Sequence, residues 1–428
     1  MGFAERYLDL ADRLWRGEED VENAGNHPFG TSADEVVEVS EGIGFVPSFA
    51  NVSAVATDDG LVLVDTGGNL LAAQVHAALR RWTRQPLHTA VYSHGHIDHV
   101  FGMPLFEAEA HHHGWPAPQV VAHEAVPARF DRYILTAGYN AAINQRQFQA
   151  PGLRWPVDYR YPDLTYRDLL RLEIGGEQVE LHHARGETDD HTWTWFPQRR
   201  LLCCGDLFIW ASPNAGNPQK VQRYPAEWAA ALREMAELGA TLMLPGHGYP
   251  VVGAERVRQA LEDTALLLES LHDQTVAMMN AGSRLDEIVN TVRAPAALLE
   301  RPYLRPVYDE PEFVVRNLWR LYGGWYDGNP AHLKPAPDAA LAAEIADLAG
   351  GAARLRQRAA ELAESGELRL ARHLAEMAAL AAPEDASIRT TRAAVFERSA
   401  RAERSLMARG IFGWAATPSP GRSGPAGA

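Results

Sequence analysis

Residues 94–99 read His-Gly-His-Ile-Asp-His, placing three imidazoles and one carboxylate within six positions. The run follows the apolar segment His88–Ser93 and comes just before Gly102. A buried strand that ends in such a loop demands a fold able to bring strand ends together around polar chemistry. In an extended segment, side chains two apart point the same way. His94 and His96 can therefore grip one ion, while Asp98 and His99, past the bend, can face a second. Imidazole and carboxylate suit Zn²⁺, with Fe or Mn as the alternatives. The plain alternative is a solvated, histidine-rich loop.

Four ligands do not complete two sites, and other strand exits supply more. Asp206 follows the apolar run Leu201–Cys204 and Gly205, and His247 lies in Pro-Gly-His-Gly after Leu242–Leu244. Glu187 and His191 lie beyond the strand-like segment Glu177–Ala184. Asp206, His247 and Glu187 each adjoin a glycine, which lets a loop approach an ion closely.

Residues 35–255 alternate short apolar strands with helical stretches, predicting an α/β domain with layered sheets. Asp59-Gly60 signals a hairpin. Residues 1–34 read as an N-terminal helical extension. Residues 256–415 read as a helical domain, with a helix–turn–helix repeat of the tetratricopeptide kind and Pro383 in its turn. The Pro/Gly/Ser-rich end, 416–428, is expected to be disordered. A formal charge of −15 over 428 residues argues against a nucleic-acid partner. The two cysteines, Cys203 and Cys204, are adjacent, which excludes a disulfide framework and suits the cytoplasm. The first residues lack the apolar core of a signal peptide, and no apolar run approaches the ~20 residues that span a bilayer.

The ordered set Val-Asp-Thr-Gly-Gly (64–68), residues 93–102, Ala184–His191, Cys203–Asp206 and Leu244–Gly248 resembles the metallo-β-lactamase superfamily over residues 35–255. The resemblance implies an αββα sandwich with two metals in a cleft. His94 and His96 would hold the first; Asp98, His99 and His247 the second; Asp206 would bridge them. Glu187 stands where the superfamily usually has a first-metal histidine. It is favoured over His191 as the remaining ligand.

Residues 301–335 resemble the dimerisation signature of the alkyl-sulfatase branch, and 138–148 resemble the loop over its active site. This implies a homodimer built through an all-α domain, a small-molecule substrate, and no nucleic-acid or membrane partner. Two departures stand out. The branch bridges its metals with a glutamate where this chain has Asp206. Its sulfate-gripping stretch reads here with Lys220 and Arg223 as the only cations. The branch's usual closing lipid-binding domain, similar to sterol carriers, has no counterpart in the sequence. The expected chemistry is hydrolysis of a small sulfate ester or related ester by a metal-bridging hydroxide. The alternative is attack at a carbonyl or activated aryl centre, as in a lactonase, thioesterase or aryl-ether hydrolase. Asp98 would ligate and orient the nucleophile, and Tyr322 or Arg146 would hold the leaving group or anion. The aromatic patch Trp319, Tyr322, Trp325 and Tyr326 either docks helices or reaches a cleft. His111–His113 are expected in a solvated loop.

Overall fold

The computed structural model describes residues 2–23, 25–30 and 34–417, so the expected disordered tail lies almost wholly outside the described residues. The chain divides into two compact units, one of residues 1–137 and 155–325, the other of 138–154 and 326–428.

In the first unit, β1 (Val37–Ser40), β2 (Ile43–Val46), β3 (Val52–Thr57), β4 (Gly60–Val64), β5 (Leu87–Val91), β6 (Gln119–His123) and β7 (Leu164–Tyr166) form one sheet in chain order. The first four pair antiparallel, and Asp58-Asp59 turns β3 into β4. From β4 to β7 the pairing is parallel. Leu61–Val64, Ala90–Val91 and Val120–Ala122 are buried apolar runs in the inner parallel strands, as strands covered on both faces require. A second sheet holds β8 (Leu169–Ile174), β9 (Glu177–Ala184), β10 (His191–Phe196), β11 (Leu201–Gly205), β12 (Leu242–Pro245) and β13 (Val251–Val252). It is antiparallel except for the parallel pair β11–β12. The sheets meet through Tyr166, whose hydroxyl donates to Thr192 Oγ1 at 2.7 Å, and through His123 stacked on His183 at 3.7 Å.

Helix α1 (Phe3–Trp15) opens the chain. Then α2 (Ala72–Trp82), α3 (Met103–His113) and α4 (Val126–Leu135) cover the first sheet. Val75, Leu79, Met103, Phe106, Val126 and Phe130 join Leu61, Leu63, Ala90 and Val120 in one core. Helix α5 (Ala137–Phe148) belongs almost entirely to the second unit. On the second sheet, α6 (Pro225–Glu237) buries Trp228, Leu232 and Met235, and α7 (Ala254–Asn280) packs beside it. Short α8 (Leu285–Thr291) and α9 (Ala296–Leu299) lead to α10 (Pro311–Gly323). Helices on both outer faces of two stacked sheets make the αββα sandwich.

The compact units divide the helical half near Trp325, whereas the composition changes near 256. The reason is packing. The apolar face of α7, with Val257, Leu261, Leu268 and Leu271 buried, is spent inside the first unit. Asn317 on α10 also donates to the Arg223 carbonyl at 3.1 Å. His111–His113 are the exposed last turn of α3, not a loop, because the breaker Gly114 follows them with φ +68°.

The second unit adds α11 (Pro330–Leu333), α12 (Asp338–Ala349), α13 (Ala352–Glu364), α14 (Leu368–Ala381), α15 (Ala386–Ala402) and α16 (Leu406–Ala416) to α5. Small side chains let these helices approach closely, with Ala359, Ala363, Ala371 and Ala375 buried around Leu362 and Val395. Pro383 lies in the α14–α15 turn, and Asp385 caps α15 by accepting from the Ser387 and Ile388 amides. Residues 138–148 are helical, where the resemblance implied a loop.

Candidate metal centre

Four strands bring the expected ligands together at their C-terminal ends. β5 delivers His94, His96, Asp98 and His99; β9 delivers Glu187; β11 delivers Asp206; β12 delivers His247. β4 delivers Asp65 to the same end. Ligand-capable atoms of His94, His96, Glu187 and Asp206 lie within 4.8 Å of one another, as do those of Asp98, His99 and His247. Glu187 Oε2 is 3.6 Å from both His94 Nε2 and His96 Nδ1. Asp206 stands between the groups, with Oδ2 3.8 Å from His94 Nε2 and 3.3 Å from His247 Nε2, and Oδ1 3.5 Å from His99 Nε2. Asp98 Oδ2 is 3.6 Å from both His99 Nε2 and His247 Nε2.

The ring tautomers follow from what backs each histidine. His99 Nδ1 donates to Asp65 Oδ2 at 2.7 Å, and His247 Nδ1 donates to the Phe49 carbonyl. The Ser93 hydroxyl donates to Asp65 Oδ2 at 2.8 Å, so its lone pair accepts from His94 Nδ1 at 3.0 Å. With the ring proton on Nδ1 and none on Nε2, the state a bound cation would require, all three rings turn an Nε2 lone pair inward. Glu187 Oε1 accepts from Asn214 Nδ2 and from Arg223 Nη2, the latter at 3.3 Å, leaving Oε2 inward. Asp65 takes this post with φ +64°, a left-handed backbone that Asp tolerates better than most residues.

These residues fit divalent cations. His99 Nε2, Glu187 Oε2 and Asp206 Oδ1 are buried without a hydrogen-bond partner among the described residues, although buried polar atoms normally have one. The electrostatics agree. Burial and the neighbouring Asp206 push Glu187 well above the usual carboxylate range. Against its burial, His247 and His99 hold Asp206 well below that range. Burial, with His99 and His96 alongside, keeps His94 well below the ordinary imidazole value and so neutral. Against its burial, Asp206 and Asp65 hold His99 well above that value. Facing carboxylates and lone pairs in a dry site are what a cation relieves.

His191 is turned to another task. Its Nε2 accepts from the Asp206 amide at 3.1 Å, and its ring stacks 4.9 Å from His94. Tyr322 is half exposed near the end of α10, with its hydroxyl 3.1 Å from His272 Nε2. Trp325 is also exposed. Arg146 lies on α5 in the second unit. Lys220 places Nζ 5.5 Å over the Trp155 ring, and burial beside Arg223 lowers it to about 8 despite the pull of Asp98 and Glu187. Asp65, Ser93 and Asn214 were not among the expected site residues. Asp65 did carry a local signal, a lone carboxylate between an apolar strand and Gly67-Gly68.

The chain matches the family model described as Metallo-beta-lactamase superfamily over residues 46–247, and the one described as Alkyl sulfatase dimerisation over 284–419. It is 29% identical over 364 residues to a linear primary-alkylsulfatase of Pseudomonas sp. (strain ATCC 19151), covering 79% of this chain and 68% of the relative. It is 24% identical over 294 residues to the 2,4-dinitroanisole O-demethylase subunit alpha of Nocardioides sp. (strain JS1661), covering 64% of this chain and 75% of the relative. Three further alkylsulfatase relatives are longer, and the chain spans 53%, 57% and 57% of them. The solved structure of a stereoselective inverting sec-alkylsulfatase from Pseudomonas sp. superposes with a TM-score of 0.81 at 23% identity, covering 97% of this chain and 71% of that one. The chain thus carries a metallo-beta-lactamase superfamily domain followed by an alkyl sulfatase dimerisation domain, and its relatives support the alkylsulfatase-like branch of hydrolases.

Proposed function

We propose that this protein hydrolyses a small sulfate ester at a centre of two divalent cations. His94, His96 and Glu187 would hold the first, Asp98, His99 and His247 the second, and Asp206 both. The donor set suits zinc. The observation that carries the reading is the convergence of these seven side chains in a chain whose relatives include enzymes named alkylsulfatases. When bound, such cations supply a nucleophilic water at neutral pH and offset negative charge on the ester.

The chain's own groups do the rest. Asp98 is the most exposed carboxylate of the set, with its side chain 23% accessible, and it is placed to orient the attacking water and accept its proton. His94, His99, Glu187, Asp206 and His247 are buried and His96 is partly so, which limits the access of bulk water. Arg223 is engaged with Glu187, so Lys220 is the cation that meets the anionic sulfate. Tyr322 and Arg146 are proposed to hold the anion or leaving group. Either role is withdrawn if its alanine variant keeps both kcat and KM.

A second reading is attack on an activated aryl ether, favoured by the O-demethylase relative. The oligomer is proposed to be a homodimer, from the dimerisation domain. The compartment is proposed to be the cytoplasm, on two buried free thiols; no helix among the described residues is long and apolar enough to cross a membrane. The test is sulfate release from a panel of alkyl and aryl sulfates by zinc-loaded protein, beside phenol release from activated aryl ethers. Sulfate release abolished in Asp98→Ala supports the first reading. Phenol without sulfate supports the second.

A further inference from the structure

His96 differs from the other histidines of the centre. His94, His99 and His247 are each held by a hydrogen bond on Nδ1. His96 turns Nδ1 inward, 2.7 Å from His94 Nε2, and no described residue bonds its Nε2. The backbone of the turn 94–96, with ring contacts to His94 and Tyr133, therefore aims it.

That turn rests on a buried ion pair. The core-facing positions of α4 are Val126, Arg129, Phe130 and Tyr133, so an arginine stands in an apolar row. Arg129 is 3% exposed and Asp190 fully buried. Arg129 Nε donates to Asp190 Oδ2 at 2.7 Å, and the Gly95 amide donates to the same oxygen at 3.1 Å. Arg129 also pairs with Asp189. A Cβ on Gly95 would lie 2.8 Å from Arg129 Cδ, so the turn lies directly on the arginine stem. Asp189 and Asp190 close the segment that carries Glu187. One guanidinium therefore ties α4 to two ligand-bearing turns.

We infer that Arg129 is a positioning residue that aims His96, through Asp190 and the Gly95 amide, and thereby sets affinity at the first metal position rather than the second. Asp65 and the Phe49 carbonyl hold the second position without it. A charged pair buried here is hard to justify by stability alone, since apolar residues of the same volume often serve as well. The inference rests on the ligand assignment proposed above.

The experiment titrates apoprotein with Co²⁺ and with Zn²⁺, by calorimetry and by the visible spectrum of the cobalt form, beside the melting temperature of the apoprotein. The wild type is expected to take two ions. Arg129→Met should keep one at wild-type affinity and bind the other at least about tenfold more weakly, the usual effect of removing a group that orients a ligand. Arg129→Lys should recover part of the loss. Gly95→Ala, which displaces the turn without changing charge, should reproduce the selective loss even if Arg129→Met folds poorly. In a His247→Ala background, Arg129→Met should weaken the ion that remains. Two ions at wild-type affinity in both Arg129→Met and Gly95→Ala would overturn the inference. So would equal weakening of both ions in step with the apoprotein melting temperature. A wild type that takes fewer than two ions overturns the ligand assignment, and this inference with it.

Discussion

Replacing Asp65 by Asn changes almost no volume and tests the second metal position. The carboxylate accepts three hydrogen bonds: from Ser93 N at 2.7 Å, Ser93 Oγ at 2.8 Å and His99 Nδ1 at 2.7 Å. An amide offers an oxygen on one side only. With the oxygen towards Ser93 N, its NH₂ faces the His99 N–H, and donor meets donor. With the amide reversed, Ser93 N loses its acceptor. Either way a buried donor is stranded, at about 1–3 kcal/mol. His99 can escape by moving its proton to Nε2, the atom that faces Asp206 and Asp98. That removes the inward lone pair. Loss of such a partner lowers metal affinity about 10- to 100-fold, or roughly 1.4–2.8 kcal/mol. Competition for Zn²⁺ with a chromophoric chelator measures the affinity, and urea unfolding of the apoprotein measures the stranded donor. Asp65→Asn protein that binds zinc as tightly as the parent and unfolds at the same urea concentration would refute the tautomer argument.

Three further outcomes are expected. A Cβ at Gly246 would lie 2.1 Å from Asp206 Oδ1, so Gly246→Ala should displace the shared carboxylate and lower metal content; unchanged stoichiometry by elemental analysis would count against Asp206 as the shared ligand. Burial pushes the Asp309 carboxyl up to about 7 from 3.8, so the folded chain holds a proton there that the unfolded chain releases. The stability this carries is full below about pH 4 and lost as pH rises through about 7, up to about 4 kcal/mol, so Asp309→Asn should flatten that decline in chemical denaturation. An equally steep decline in the variant would show that Asp309 stays ionised, held by the Gly216 and Glu310 amides. Burial raises Cys203 to about 12 and pushes Cys204 up as well, so a disulfide-exchange reagent should titrate no thiol until the chain is denatured; rapid labelling of native protein would contradict their burial.

Much of the sandwich is legible along the chain. The parallel strands β5 and β6 are apolar runs that end in polar loops. Helix α2 repeats apolar residues at 72, 75, 78 and 79, the period of one helical face. Where reading failed, a local pattern was overruled by position. The three histidines 111–113 lie beside Gly and Pro and read as loop, yet the chain can stay helical until Gly114.

The sequence by itself determined the donor types and their order. Metal chemistry needs imidazole and carboxylate beside small residues at strand exits, and that requirement is met within short segments. Only the tertiary structure decided how each donor is used. It gave the His191 Nε2 to the Asp206 amide and set Glu187 Oε2 3.6 Å from His94 and His96. It joined His99 to Asp65 across 34 positions and Arg129 to Asp190 across 61. Those partners share no periodicity or spacing that a local pattern could carry. His99 and Asp65 meet because the parallel strands β4 and β5 end at one edge, Arg129 meets Asp190 where the β9–β10 turn reaches α4, and burial shuts out the water that would otherwise satisfy each group separately.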